Sequence, residues 1–123
     1  MDEAGDTRAR LVAERRAAVD RLAGLDREFE GIVEAAGSAN TDDEHDPEGA
    51  TIAFERQHVA ALLSQAREQL SQLDAALQRL DDGGYGLCGQ CGRPIAAARL
   101  EARPAAETCI TCAGQQASRH RAR

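Results

Sequence analysis

The run Cys88-Gly89-Gln90-Cys91 is followed, seventeen residues later, by Cys109-Ile110-Thr111-Cys112, and these are the chain's four cysteines. Two residues between paired cysteines let both thiolates of a tight turn face one point. The linker is long enough to fold back and bring the second pair there, which closes a tetrahedral shell of four sulfurs. Zinc is the ion that such a shell suits. Because every coordination position is taken by protein sulfur, none stays open for water, so one Zn2+ here is structural and performs no hydrolysis.

Immediately around the cysteines the sequence supports this reading. Gly92, directly after the second Cys, can adopt the backbone geometry that turns N–H groups toward the sulfurs. Arg93, Arg99 and Arg103 lie between the pairs and either offset the site's net negative charge or contact a partner. The second pair is expected to open a short helix running to Arg123, with its N-terminal dipole aimed at Cys109 and Cys112. Arg119, His120, Arg121 and Arg123 give this end a small basic tail.

Upstream lie two periodic stretches. From about Thr7 to Ala36 the apolar positions Leu11, Ala18, Leu22, Leu25, Phe29, Ile32 and Ala36 step by three and four, with Arg15 in one polar slot. Gly37-Ser38-Ala39-Asn40 is the expected stop, Gly37 serving as a left-handed cap. Ile52, Val59, Leu63, Ala66, Leu70, Leu73, Leu77 and Leu80 repeat the pattern around Arg56, and Gly83-Gly84 ends it. Two helices of roughly 30 residues, each about 45 Å long, are thus expected to cover one another's stripes. The similar stripe lengths and short connection favour an antiparallel hairpin within one chain over pairing between chains, and a monomer is expected. Gly24 and Gly31 fall on the outer face of the first helix, where each costs about 1 kcal/mol relative to Ala; they read as local flexibility or as a close-approach surface.

The connection, residues 40–51, carries five carboxylates: Asp42, Asp43, Glu44, Asp46 and Glu48. Asp46-Pro47 is a ready helix start, since Asp can cap free N–H groups and Pro at the first helical position forfeits no hydrogen bond. The spacing lacks the alternating oxygen ligands and the distal Glu of an EF-hand. An acidic tip on a helical arm is instead suited to reach a cation or a basic surface in a partner. The expected organisation is mostly α: a tail at 1–6, a long antiparallel coiled-coil hairpin at 7–82, and a small four-Cys zinc-finger module with a short C-terminal helix at 83–123.

Composition excludes several classes. The 123 residues hold two Phe, one Tyr and no Trp, so few rings are available to fill a globular core, and the apolar Ala, Leu and Val suit narrow helix seams. The formal charge is -6, and one zinc ion on four thiolates takes it to about -8. Strong, sequence-independent binding to DNA is therefore not expected. No apolar run approaches a membrane span, and the acidic start Met1-Asp2-Glu3 lacks the parts of a signal peptide, so a cytoplasmic setting is expected, where cysteine pairs favour metal over disulfide. His45, His58 and His120 are scattered and no phosphate loop or metalloprotease motif surrounds them, so an enzyme is not expected.

The stretch Tyr85-Gly86-Leu87-Cys88-Gly89-Gln90-Cys91-Gly92-Arg93-Pro94-Ile95, continuing through Arg99-Leu100-Glu101-Ala102-Arg103-Pro104 to Cys109-Ile110-Thr111-Cys112, resembles the DksA/TraR family of bacterial zinc-finger proteins. The resemblance implies a transcription regulator that binds RNA polymerase, its hairpin inserted in the secondary channel and its acidic tip near the active centre. The family's tip pattern Asp-x-x-Asp-x-Ala is matched by Asp43 and Asp46, with Glu48 at the Ala position and Asp42 alongside. In the DksA branch the alarmone ppGpp is held by two basic residues. Arg103 matches the first, and Ala113 stands at the second. Arg93, Arg99, Arg119 and Arg121 are further candidate polymerase contacts. Two other classes stay open: a nucleic-acid-binding zinc module, and a redox-sensing adaptor whose thiolates release zinc to oxidant.

Overall fold

The computed structural model describes residues 3–38 and 47–121. Four helices follow in order: α1 (Glu3–Ser38), α2 (Pro47–Asp82), α3 (Ala97–Ala102) and α4 (Ile110–Arg121). The described residues contain no extended strand, and one isolated antiparallel bridge pairs Leu87 with Pro94. None of their helices is long and apolar enough to cross a membrane.

Both long helices exceed the expected span. At 36 residues each, α1 and α2 are about 54 Å long. α1 begins at Glu3 rather than near Thr7, because Glu3 and Asp6 in the first turn complement its N-terminal dipole. It also runs through Gly37, which does not take the expected left-handed conformation. α2 begins at Pro47, so Pro occupies the first helical position. Asp42, Asp43 and Asp46, together with the proposed cap at Asp46, lie outside the described residues. Glu48 is exposed in the first turn of α2.

The chain divides into two compact units, residues 16–70 and residues 1–15 with 71–123. In the first, Leu25, Val59, Leu63 and Ala66 are buried, with Leu22, Phe29, Ile32 and Leu62 packed around them. Every residue of that cluster except Leu62 is a seam position in the sequence pattern. Arg67 pairs with Asp26 across this part of the hairpin at 3.5 Å.

In the second unit Leu11 and Leu73 are fully buried, as is Ala76. Two ion pairs flank them, Arg8 with Asp81 and Arg15 with Asp74. Seven residues separate the two arginines on α1, and seven separate the two aspartates on α2 in the opposite direction. The pairs therefore repeat once per heptad and mark an antiparallel register. Arg15, the polar slot of the sequence pattern, is only half exposed because its guanidinium turns to Asp74, which raises its pKa above the ordinary arginine value through that hydrogen bond and the Asp74 charge.

The end of α2 is built by Gly83. Its φ of 85° is the left-handed conformation of a C-terminal cap, and the Gly84 N–H donates to the Arg79 carbonyl at 2.9 Å, the six-to-one bond of a Schellman motif. The chain is thereby turned off the helix axis and into the cysteine module.

Candidate metal centre

The first cysteine pair sits on a tight backbone loop. The Cys88 N–H donates to the Arg93 carbonyl at 2.8 Å, and the Gly92 N–H returns to the Cys88 carbonyl at 2.9 Å. Gly92 holds φ at 75° to close it, a conformation that costs an L-residue about 1–2 kcal/mol. The Ile95 N–H then reaches the Gly86 carbonyl at 2.7 Å, completing a short two-armed knuckle.

Cys109 precedes the first residue of α4, so it occupies the capping position, and its Sγ accepts the Cys112 N–H at 3.5 Å. The Ala113 N–H closes the first turn onto the Cys109 carbonyl at 2.9 Å. A sulfur thus takes the place that Ser or Asp usually fills at a helix start. The expected short helix after the second pair is α4, and its N-terminus does face these sulfurs.

Three consecutive carbonyls before Cys109 are each held by a different part of the fold. Ala106 O accepts from Arg79 of α2 at 3.4 Å, Glu107 O from the Gly89 N–H of the knuckle at 2.9 Å, and Thr108 O from Arg99 Nε of α3 at 2.9 Å. The Tyr85 hydroxyl donates to the Pro104 carbonyl at 2.8 Å. Together these bonds carry the second cysteine pair back to the first. Arg99 is therefore a clamp on the backbone. Arg93 and Arg103 are exposed and free of that duty. Arg79 had no signal in the pattern beyond its place in the last turn of α2, yet it also approaches Glu107 Oε1 at 3.9 Å.

The four sulfurs converge. All lie within 4.8 Å of one another, and Cys91 Sγ and Cys109 Sγ are 3.8 Å apart. A zinc ion with bonds of about 2.3 Å places its tetrahedral ligands about 3.8 Å from each other, so the donor set fits that ion in type, number and spacing. Cys88 and Cys112 are buried, and with Ile95 they form the module's small core, against which Leu100 packs.

The thiols do not share one acidity. Backbone N–H groups at Cys91 and Cys109 draw the Cys88 pKa down to about 6, and the backbone and side chain of Cys112 lower that of Cys109. Cys112 is pushed up to about 12, first by its hydrogen bond with the Cys109 sulfur, which favours the protonated thiol, and then by burial. Four thiolates at these distances require a cation among them. A divalent ion supplies it.

The prokaryotic dksA/traR C4-type zinc finger family model matches residues 83–116. The RNA polymerase-binding transcription factor DksA of Caulobacter vibrioides is 44% identical over 55 residues, which cover 45% of this chain and 39% of that protein. General stress protein 16O of Bacillus subtilis is 33% identical over 90 residues, 72% of this chain and 55% of the relative. In both cases the match spans less than two thirds of the relative's own length. The similarity to the solved structure of transcription factor DksA2 from Pseudomonas aeruginosa is broader: 30% identity and a TM-score of 0.76 over 98% of this chain and 88% of that one.

Proposed function

Since this chain belongs to the DksA/TraR family of zinc-finger proteins, we propose that it is a non-catalytic transcription regulator that binds RNA polymerase in the cytoplasm. The observation that carries this reading is the similarity to DksA2, which runs through the helical hairpin as well as the cysteine module. The relatives named RNA polymerase-binding transcription factor DksA share the module.

In this reading α1 and α2 form an arm that enters the polymerase secondary channel as a monomer, and Asp43 and Asp46, with Asp42 and Glu48 beside them, act near the active centre. Carboxylates there would compete for or redirect the positive charge that a phosphoryl-transfer site gathers around its reacting phosphates. Cys88, Cys91, Cys109 and Cys112 hold one zinc ion, which fixes the module by joining the knuckle to α4. Its role is structural, since no ligand position is left for substrate. Arg93 and Arg103, both exposed, are the candidates for contact with the polymerase, and Arg119 and Arg121 of α4 are added to them from the sequence.

A photocrosslinker placed at positions 43 and 46 tests the reading on the complex with core polymerase. Crosslinks are expected inside the channel. Crosslinks confined to the polymerase exterior would reject insertion.

A further inference from the structure

A groove of about 680 Å³ opens within the unit formed by residues 1–15 and 71–123. Its floor is apolar: Leu80 at the end of α2, Tyr85, Leu100 of α3 and Pro104. Leu80, Tyr85 and Leu100 are half exposed and Pro104 is buried, so the floor is accessible but firm. The hydrogen bond from Tyr85 to the Pro104 carbonyl fixes the ring in the wall.

The rim carries the opposite character. Glu3 and Asp6 of α1 and Glu101 of α3 line it. All three are exposed, and none forms an ion pair among the described residues. Arg10, the cation in the lining, pairs with Glu14 at 3.5 Å and donates to the Glu101 backbone carbonyl at the rim, not to any of the three carboxylates. The groove therefore presents three unpaired carboxylates and one cation, a net negative rim, around an apolar base.

We propose that this groove docks a protein segment that is both basic and apolar, such as one face of an amphipathic helix bearing Arg or Lys around Leu. Apolar side chains of the segment would cover Leu80, Leu100 and the Tyr85 ring, while its cations meet Glu3, Asp6 and Glu101. The volume falls in the range of sites that enclose a few side chains, and the open rim suits a continuous chain. This surface is made by the start of α1, the end of α2 and α3, and its existence does not depend on what the acidic loop meets.

The chain contains one Tyr and no Trp, so Tyr85 emission reports directly on the groove. The zinc-loaded full chain is titrated with a short synthetic helical peptide of Leu, Ala and Arg that lacks aromatic residues. A saturable change in emission that weakens with added salt is expected. In the triple variant Glu3→Gln, Asp6→Asn, Glu101→Gln the affinity is expected to fall by about tenfold or more, with melting lowered only slightly, through the lost dipole complement in the first turn of α1. The single variant Glu101→Gln, outside that turn, is expected to weaken binding with melting unchanged. The proposal is overturned if a peptide with Glu in place of Arg binds equally well, if spermidine alone produces the same change, or if the triple variant binds as tightly as the parent.

Discussion

The hairpin of residues 16–70 and the module of residues 83–121 are stabilised in opposite ways. The first is a repeated interaction: Leu25, Val59, Leu63 and Ala66 bury one after another along a seam, and each is interchangeable in kind with the next. The second rests on single, non-repeating contacts, a positive-φ glycine, three clamped carbonyls and four sulfurs around one point. Repetition spreads stability over many small terms. Convergence concentrates it in a few.

That contrast has a direct consequence for metal removal, the largest effect expected. Chelation of zinc should abolish amide-exchange protection at Cys88, Gly92 and Ala113 while α1 and α2 within residues 16–70 keep theirs. In finger peptides a structural zinc contributes roughly 10–16 kcal/mol in apparent terms. Uniform loss of protection along the chain would break the comparison.

Within the seam, Leu63→Ala is expected to cost about 2–5 kcal/mol, since a 4% exposed side chain leaves a cavity that its neighbours fill only in part. Zinc content should stay unchanged, as read by a metal-sensitive dye after unfolding. At the junction, Gly83→Ala is expected to cost about 1–2 kcal/mol from backbone strain alone, because its Cβ would meet nothing within 4 Å. Thermal melting of both variants checks these values.

Acidity separates the regions again. In the metal-free chain Cys88 has its pKa lowered to about 6, so the stability its thiolate contributes is fully present above the unfolded value and lost as pH falls through about 6. Bound zinc holds its thiolates deprotonated to lower pH than the metal-free site does, so zinc release followed by dye should begin below that pH, while helicity of the hairpin is retained. The smallest effect is a gain. Gly31→Ala, on an exposed stretch of α1 where the added Cβ meets nothing within 4 Å, should raise stability by about 1 kcal/mol.

The repeating region was the more legible in sequence. Seam positions at three and four residue steps identified Leu11, Leu25, Val59, Leu63 and Leu73, all buried. Ala76 and Leu62 escaped because they flank the strict seam, and a packed helix buries a stripe wider than two positions per heptad. Arg15 was visible as a polar slot, but its partner Asp74 was not, since register between helices is set by packing on both. The cysteine spacing was enough to bring the sulfurs together. Arg79 and Arg99 as clamps were not legible, because backbone carbonyls leave no trace in side-chain patterns. The helix ends moved for similar reasons: Gly37 is compatible with a cap but does not compel one.

The polymerase reading stands or falls at the acidic loop, and the most direct measurement is transcription by purified polymerase with the zinc-loaded protein and with its Asp43→Asn, Asp46→Asn variant. The account predicts that both proteins co-elute with core polymerase and that the variant loses the effect on transcript level that the parent produces. An unchanged effect in the variant, or no co-elution of the parent, would contradict it.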